Sequence, residues 1–152
     1  MFRSISILLI GLFTPAVFAA SAPDECRDQS KLLTLREHMV CMSYDMDDVF
    51  ADLAKPDSAA AVADHLREVR RHAQAAMAYT PSRLKALKPE QARIRNLEFQ
   101  IHFAETYAAI AKLEHRLLTR PVLGDTPASD PVTAQLALRL QQLIGEGHQK
   151  FR

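Results

Sequence analysis

Met39, Met42 and Met46 follow one another at spacings of three and four residues, and His148 stands near the end of the chain within Gly145-Glu-Gly-His-Gln-Lys-Phe-Arg152. Phe99 and Phe103 form a further pair, four residues apart. A thioether and an imidazole facing each other across an apolar gap suit the two axial positions of a haem iron, and phenyl rings suit the porphyrin face. The competing reading is plain: a methionine stripe is also ordinary core filling. The sequence contains no Cys-x-x-Cys-His, so a thioether-linked haem is excluded and any haem is b-type, held by its ligands and by burial.

Such chemistry needs elements that bring residues more than a hundred positions apart to one level. Helical spacing recurs four times. Leu35, Met39, Met42, Met46, Val49 and Leu53 form one stripe of a first helix from about Ser30 to Ala54, ended by Lys55-Pro56. Asp57-Ser58 offers an N-cap to a second helix with Val62, Leu66, Val69, Ala73, Ala76 and Met77 on its buried face, closed by Tyr79-Thr80-Pro81. Ser82 to Lys88 reads as a connection with about one turn of helix. Pro89 suits the first turn of a third and longest helix. Its stripe is Phe99, Phe103, Thr106, Ile110, Leu113 and Leu117, widened by Leu97, Ile101, Ala104, Ala108 and Ala111 into a broad apolar face. Arg120 to Ser129 reads as loop, and Asp130-Pro131 starts a fourth helix that buries Leu136, Leu140, Leu143 and Ile144 on the way to His148 and Phe151. No alternating apolar and polar segment flanked by turn pairs occurs, so the expected class is all-α. Four amphipathic helices with modest connections pack most simply as an antiparallel up-down-up-down four-helix bundle, with its core over about 30–152. That topology places Met39, Phe99 and His148 near one end.

The opening MFRSISILLIGLFTPAVFAA has the pattern of a secretory signal peptide over residues 1–19, cut after Ala19. Its apolar run is too short for a permanent anchor, so the mature domain, 20–152, is expected to be exported, without a membrane span, and periplasmic in a Gram-negative cell. Nineteen Lys and Arg nearly balance eighteen Asp and Glu, which gives no electrostatic reason to propose nucleic acid as a partner. An oxidising compartment permits a Cys26–Cys41 disulfide. Reach argues against it: a helix starting near Ser30 carries Cys41 roughly 16 Å away, which the four residues back to Cys26 can barely retrace. The expectation is therefore a quiet thiol at Cys41.

The ending Gly147-His148-Gln-Lys-Phe-Arg152 resembles the end of cytochrome b562, where a haem-ligating histidine is followed by Gln-Lys-aromatic-Arg. Asp57-Ser58-Ala59-Ala60 with Val62, Thr80-Pro81 and the Phe99-x-x-x-Phe103 pair extend the likeness over about Leu35 to Arg152. In that family the other ligand is an early methionine in the frame Leu-x-x-x-Met-x-x-Leu, matched here by Leu35-x-x-x-Met39-x-x-Met42. The resemblance implies one non-covalent haem b bound by Met39 and His148, and a one-electron carrier that is not an enzyme and serves a redox partner protein. Met42 and Met46 lie on the same stripe as substitutes for Met39. This chain departs from the family in about one extra helical turn in or after the first helix, without which Ser43 takes the ligand position. It departs also in Ile144 and Gly147, which replace an arginine and an aromatic residue. A haem-free helical bundle, serving as a binding, sensor or chaperone-like module, is the rival reading.

His65 and His72 share one helical face, and His102 lies between Glu98 and Glu105, so a metal site is conceivable. The Glu-x-x-His repeats of di-iron bundles are absent, and these histidines are expected to be solvated. The runs Arg67-Glu68, Arg70-Arg71-His72 and Arg93, Arg95 read as solvated helix faces.

Overall fold

The computed structural model describes residues 23–28, 30–119 and 124–151. The signal peptide expected over 1–19 lies outside them. Five α-helices are present among the described residues: α1 (Asp24–Arg27), α2 (Leu35–Leu53), α3 (Ala59–Ala76), α4 (Pro89–Thr119) and α5 (Pro131–Phe151). Short 3-10 turns at Ser82–Ala86 and Pro127–Ser129 interrupt the connections, and the described residues contain no strand. The all-α class is therefore observed. Helix α2 packs on α3, α3 on α4 and α4 on α5. No helix among the described residues is long and apolar enough to cross a membrane.

The first long helix starts later than the expected Ser30, at the first residue of its apolar stripe. Thr34 and Glu37 form a capping box, in which Thr34 Oγ1 accepts from the Glu37 amide while the Glu37 carboxylate accepts from the Thr34 amide at 2.6 Å. This box fixes the start at Leu35 rather than Ser30. Cys41 is then less than two turns into the helix, and the return from its first residue to Cys26 has nine residue steps instead of four. The return is made: Cys26 and Cys41 are disulfide-bonded with Cα atoms 5.4 Å apart, which corrects the expectation of a free thiol. With Leu33 they form a small satellite cluster separate from the main core.

The main core collects Val49, Val62, Leu66, Val69, Ile110, Leu113, Leu140 and Leu143, as the four stripes imply. Helix α4 differs in one respect. Its second stripe faces outward, with Leu97, Ala104 and Ala108 exposed and Ile101 58% exposed, while His102, Ala109 and Glu114 take the buried positions. The broad apolar face expected for this helix is thus a narrow one. Of the basic runs, Arg67, Arg93 and Arg95 are exposed as expected, but Arg70-Arg71-His72 is not a solvated face. Arg70 Nε donates to Glu114 at 2.9 Å, Arg71 donates to Glu68 and to the Cys26 carbonyl, and His72 is fully buried.

Helix connections are tied across the chain. Ser58 does not cap α3 with its side chain, and its hydroxyl instead donates to the carbonyls of Asp52 and Lys55, closing the end of α2. Asp57 adopts a left-handed backbone, φ 54°, which a short polar side chain tolerates. It pins the distant loop, accepting from the Gly124 amide at 2.9 Å and donating its own amide to the Asp125 carbonyl. Asp130 caps α5: one carboxylate oxygen accepts from both the amide and the hydroxyl of Thr133, and a bidentate pair with Arg116 ties it to α4.

Candidate functional site

One cavity of about 360 Å³ is lined by Met39, Met42, Phe99, Phe103 and His148 together. Every residue that the sequence singled out for a cofactor therefore borders the same space. Helix α2 contributes Leu35, Met39, Met42 and Met46, α4 contributes Phe99, His102 and Phe103, and α5 contributes Ile144, Gly147, His148 and Phe151. Met42 and Met46 are buried in the core, Met39 is half-buried, and His148 is exposed while still bordering the cavity. The ring centroids of Phe99 and Phe103 lie 4.6 Å apart, and Phe151 meets Phe99 edge-on at 5.4 Å. Ser43 also lines the space, so the cavity extends along the whole run in which the axial methionine was sought.

The residue that sequence reasoning missed here is His102. It is 7% exposed, lines the cavity and packs its ring 5.6 Å from that of Phe151. Its ring nitrogens make no hydrogen bond among the described residues. A signal was present, because His102 sits three residues after Phe99 and four before Thr106, squarely on the buried stripe. The flanking glutamates pointed the other way. His102 also explains Gly147: a Cβ at that position would stand 2.6 Å from His102 Nε2 and 3.2 Å from Cδ2. No comparable neighbour exists at Gly145, where an added Cβ meets nothing within 4 Å. Gly147 is therefore a packing requirement inside an intact helix that runs on to Phe151.

His38, His65 and His72 stand in two other places, and the expectation that His65 and His72 are solvated fails for the buried His72, while His115 is exposed. His72 and His38 are buried and joined, Nδ1 to Nδ1, at 2.9 Å, and His72 Nε2 lies 3.1 Å from the Cys26 carbonyl oxygen. The same nitrogen lies 3.1 Å from Arg71 Nη2, which only donates, while the carbonyl only accepts, so Nε2 has a partner in either tautomer and one Nδ1 of the pair donates to the other. Burial, reinforced by the Arg71 and His38 charges, pushes His72 down to about 4. Burial likewise lowers His38. The pair is a neutral structural bridge from the disulfide to the α2–α3 interface. His65 does not share a site with His72 but faces Asp45, Asp48 and Asp52 of α2.

The cavity fits the group that the sequence suggested in chemical kind. Its lining is chiefly apolar, its volume lies in the range of small-molecule and cofactor sites, and its heteroatom-bearing side chains include three methionines and two histidines beside Ser43, Asp47 and Thr106. No protein-family model, no curated protein and no solved structure matches this chain.

Proposed function

We propose that the protein is an exported b-type cytochrome, a one-electron carrier that holds one non-covalent haem b between Met39 and His148. The observation that supports this most is the single cavity that both residues share with Phe99 and Phe103. Haem supplies a ferric–ferrous couple, and the chain's own residues do the rest. The Met39 thioether and the His148 imidazole would hold the haem, a ligand pair that would favour the reduced state, and Phe99 and Phe103 would keep water from it. With Met39 and His148 both taken up in holding the haem, no position would be open to substrate, which is why the reading is a carrier for a redox partner protein and not an enzyme. Among the α2 methionines we favour Met39, which is half-buried, over Met42 and Met46, which are already packed into the core.

The four long helices are read as an antiparallel up-down-up-down bundle. Two sets of contacts support that topology. The α2–α3 turn and the α4–α5 loop meet through Asp57, Gly124 and Asp125. Leu35 at the start of α2, Pro81 after α3, Phe99 early in α4 and Phe151 at the end of α5 all border one cavity. An oxidising, periplasmic location is supported by the Cys26–Cys41 bridge together with the leader pattern. Haem titration of the purified protein tests the ligation: Met39→Ala and His148→Ala each remove the low-spin spectrum, and Met42→Ala leaves it in place. A parent protein that takes up no haem refutes the proposal. Loss of the low-spin spectrum in Met42→Ala with none in Met39→Ala moves the ligand by one helical turn.

A further inference from the structure

Asp45, Asp48 and Asp52 follow one another along α2 at spacings of three and four, which places them on one edge of the helix, facing His65 of α3. His65 Nδ1 lies 3.6 Å from Asp45 Oδ1 and 3.9 Å from Asp48 Oδ2, while its Nε2 faces Asp52 Oδ2 at 3.8 Å. Ligand atoms of Asp45, Asp48 and His65 all lie within 4.8 Å of one another. Asp45 is the informative member. Its side chain is 4% exposed and accepts no hydrogen bond among the described residues, and its oxygen is aimed at His65 from beyond hydrogen-bonding distance. Burial raises the Asp45 carboxyl above its usual range, and His65, its nearest donor at 3.6 Å, offsets this only in part, so a closer cation would be favoured there.

We propose that Asp45, Asp48 and His65 bind a divalent transition-metal cation of the zinc type, with Asp52 orienting the imidazole from its far side. Nitrogen and oxygen ligands about 2.0–2.2 Å from such an ion sit roughly 3.4 Å apart at the corners of a tetrahedron. The His65 contacts need to close by only a few tenths of an ångström to reach that spacing. Asp48, the more exposed of the two carboxylates, is the one with room to adjust. The imidazole selects against calcium and magnesium, whose ligands are oxygen. Asp52 opposite Nε2 reproduces the carboxylate–histidine–metal arrangement that fixes a ligating ring. Three protein ligands leave a fourth position for water. None of these four residues lines the cavity, so the site stands independently of the haem reading. Its effect is to clamp α2 to α3 and raise stability in proportion to metal occupancy.

Chelator-stripped, disulfide-intact protein titrated with Zn²⁺ by calorimetry, alongside thermal melts, tests the proposal. The same titration in a Met39→Ala/His148→Ala background counts separately any ion taken up in the cavity. One site outside the cavity is expected, accompanied by a rise in Tm. His65→Gln and Asp45→Asn each weaken it by about tenfold or more and abolish the rise. Asp64→Asn, next to His65 but outside the cluster, leaves the binding unchanged, and Ca²⁺ has no effect. Asp45→Asn should also melt higher than the parent without metal, because it removes a buried charge, so its loss of binding does not reflect misfolding. Zn²⁺ affinity that is absent in the parent, or equal in parent and His65→Gln, overturns the proposal and leaves His65 as a counter-ion to three carboxylates.

Discussion

Gly145 and Gly147 lie two residues apart in the same helix, yet their alanine variants should move stability in opposite directions. Alanine gains about 1 kcal/mol over glycine in a helix interior, and this term is common to both sites. At Gly145 an added Cβ meets nothing within 4 Å, so Gly145→Ala should be more stable by close to that amount. At Gly147 the added Cβ would stand 2.6 Å from His102 Nε2. The His102 ring is buried between the cavity and Phe151, and forcing an extra carbon into packed surroundings costs about 1–3 kcal/mol. The two variants should therefore differ by about 1–3 kcal/mol, with Gly147→Ala the less stable. For a chain of this size each kcal/mol moves Tm by roughly 2–4 °C, so melts followed by circular dichroism resolve the difference. The His102→Ala/Gly147→Ala double variant should recover most of the loss, measured as a coupling energy in a double-mutant cycle. If Gly147→Ala is stabilised as much as Gly145→Ala, or if removing the His102 ring brings no recovery, the packing of α5 against α4 described above is wrong.

Two further outcomes are expected. Between pH 6.5 and about 4 the unfolded chain binds a proton at His72 that the folded chain does not, so stability should fall as pH drops through that window. The full loss, reached below about pH 4, is on the order of 3 kcal/mol; urea titrations at pH 7 and pH 4.5 measure most of it, and His72→Gln should flatten the slope. Replacing both Cys26 and Cys41 by serine opens a 15-residue loop and should lower stability by about 3 kcal/mol, read from denaturant midpoints of the oxidised parent and the variant.

The helices were legible because their buried faces obey a 3.6-residue period, and Met42, Met46, Phe99 and Phe103 fall on those faces, while His148, found by resemblance, is exposed. Boundaries were less legible. The start of α2 was encoded in Thr34-Leu-Arg-Glu37, a capping box that a helix begun at Ser30 passes over, and that five-residue shift decided whether the disulfide could form. On α4, two apolar stripes lie side by side and periodicity cannot choose which faces inward; packing against α3 and α5 exposes Ile101 and buries His102. Buried polar residues were the least legible. His38 finds His72 34 positions away, Arg70 finds Glu114 44 positions away, and His102 depends on a glycine in another helix. Such partners are set by tertiary packing, and no local pattern in the sequence names them.

The most direct test of the proposed function is the reduced-minus-oxidised absorption spectrum of the purified, haem-supplemented protein. A Soret band with sharp alpha and beta bands on reduction, lost in His148→Ala, is the predicted result. A protein that stays colourless, or a high-spin spectrum unchanged by that substitution, contradicts it.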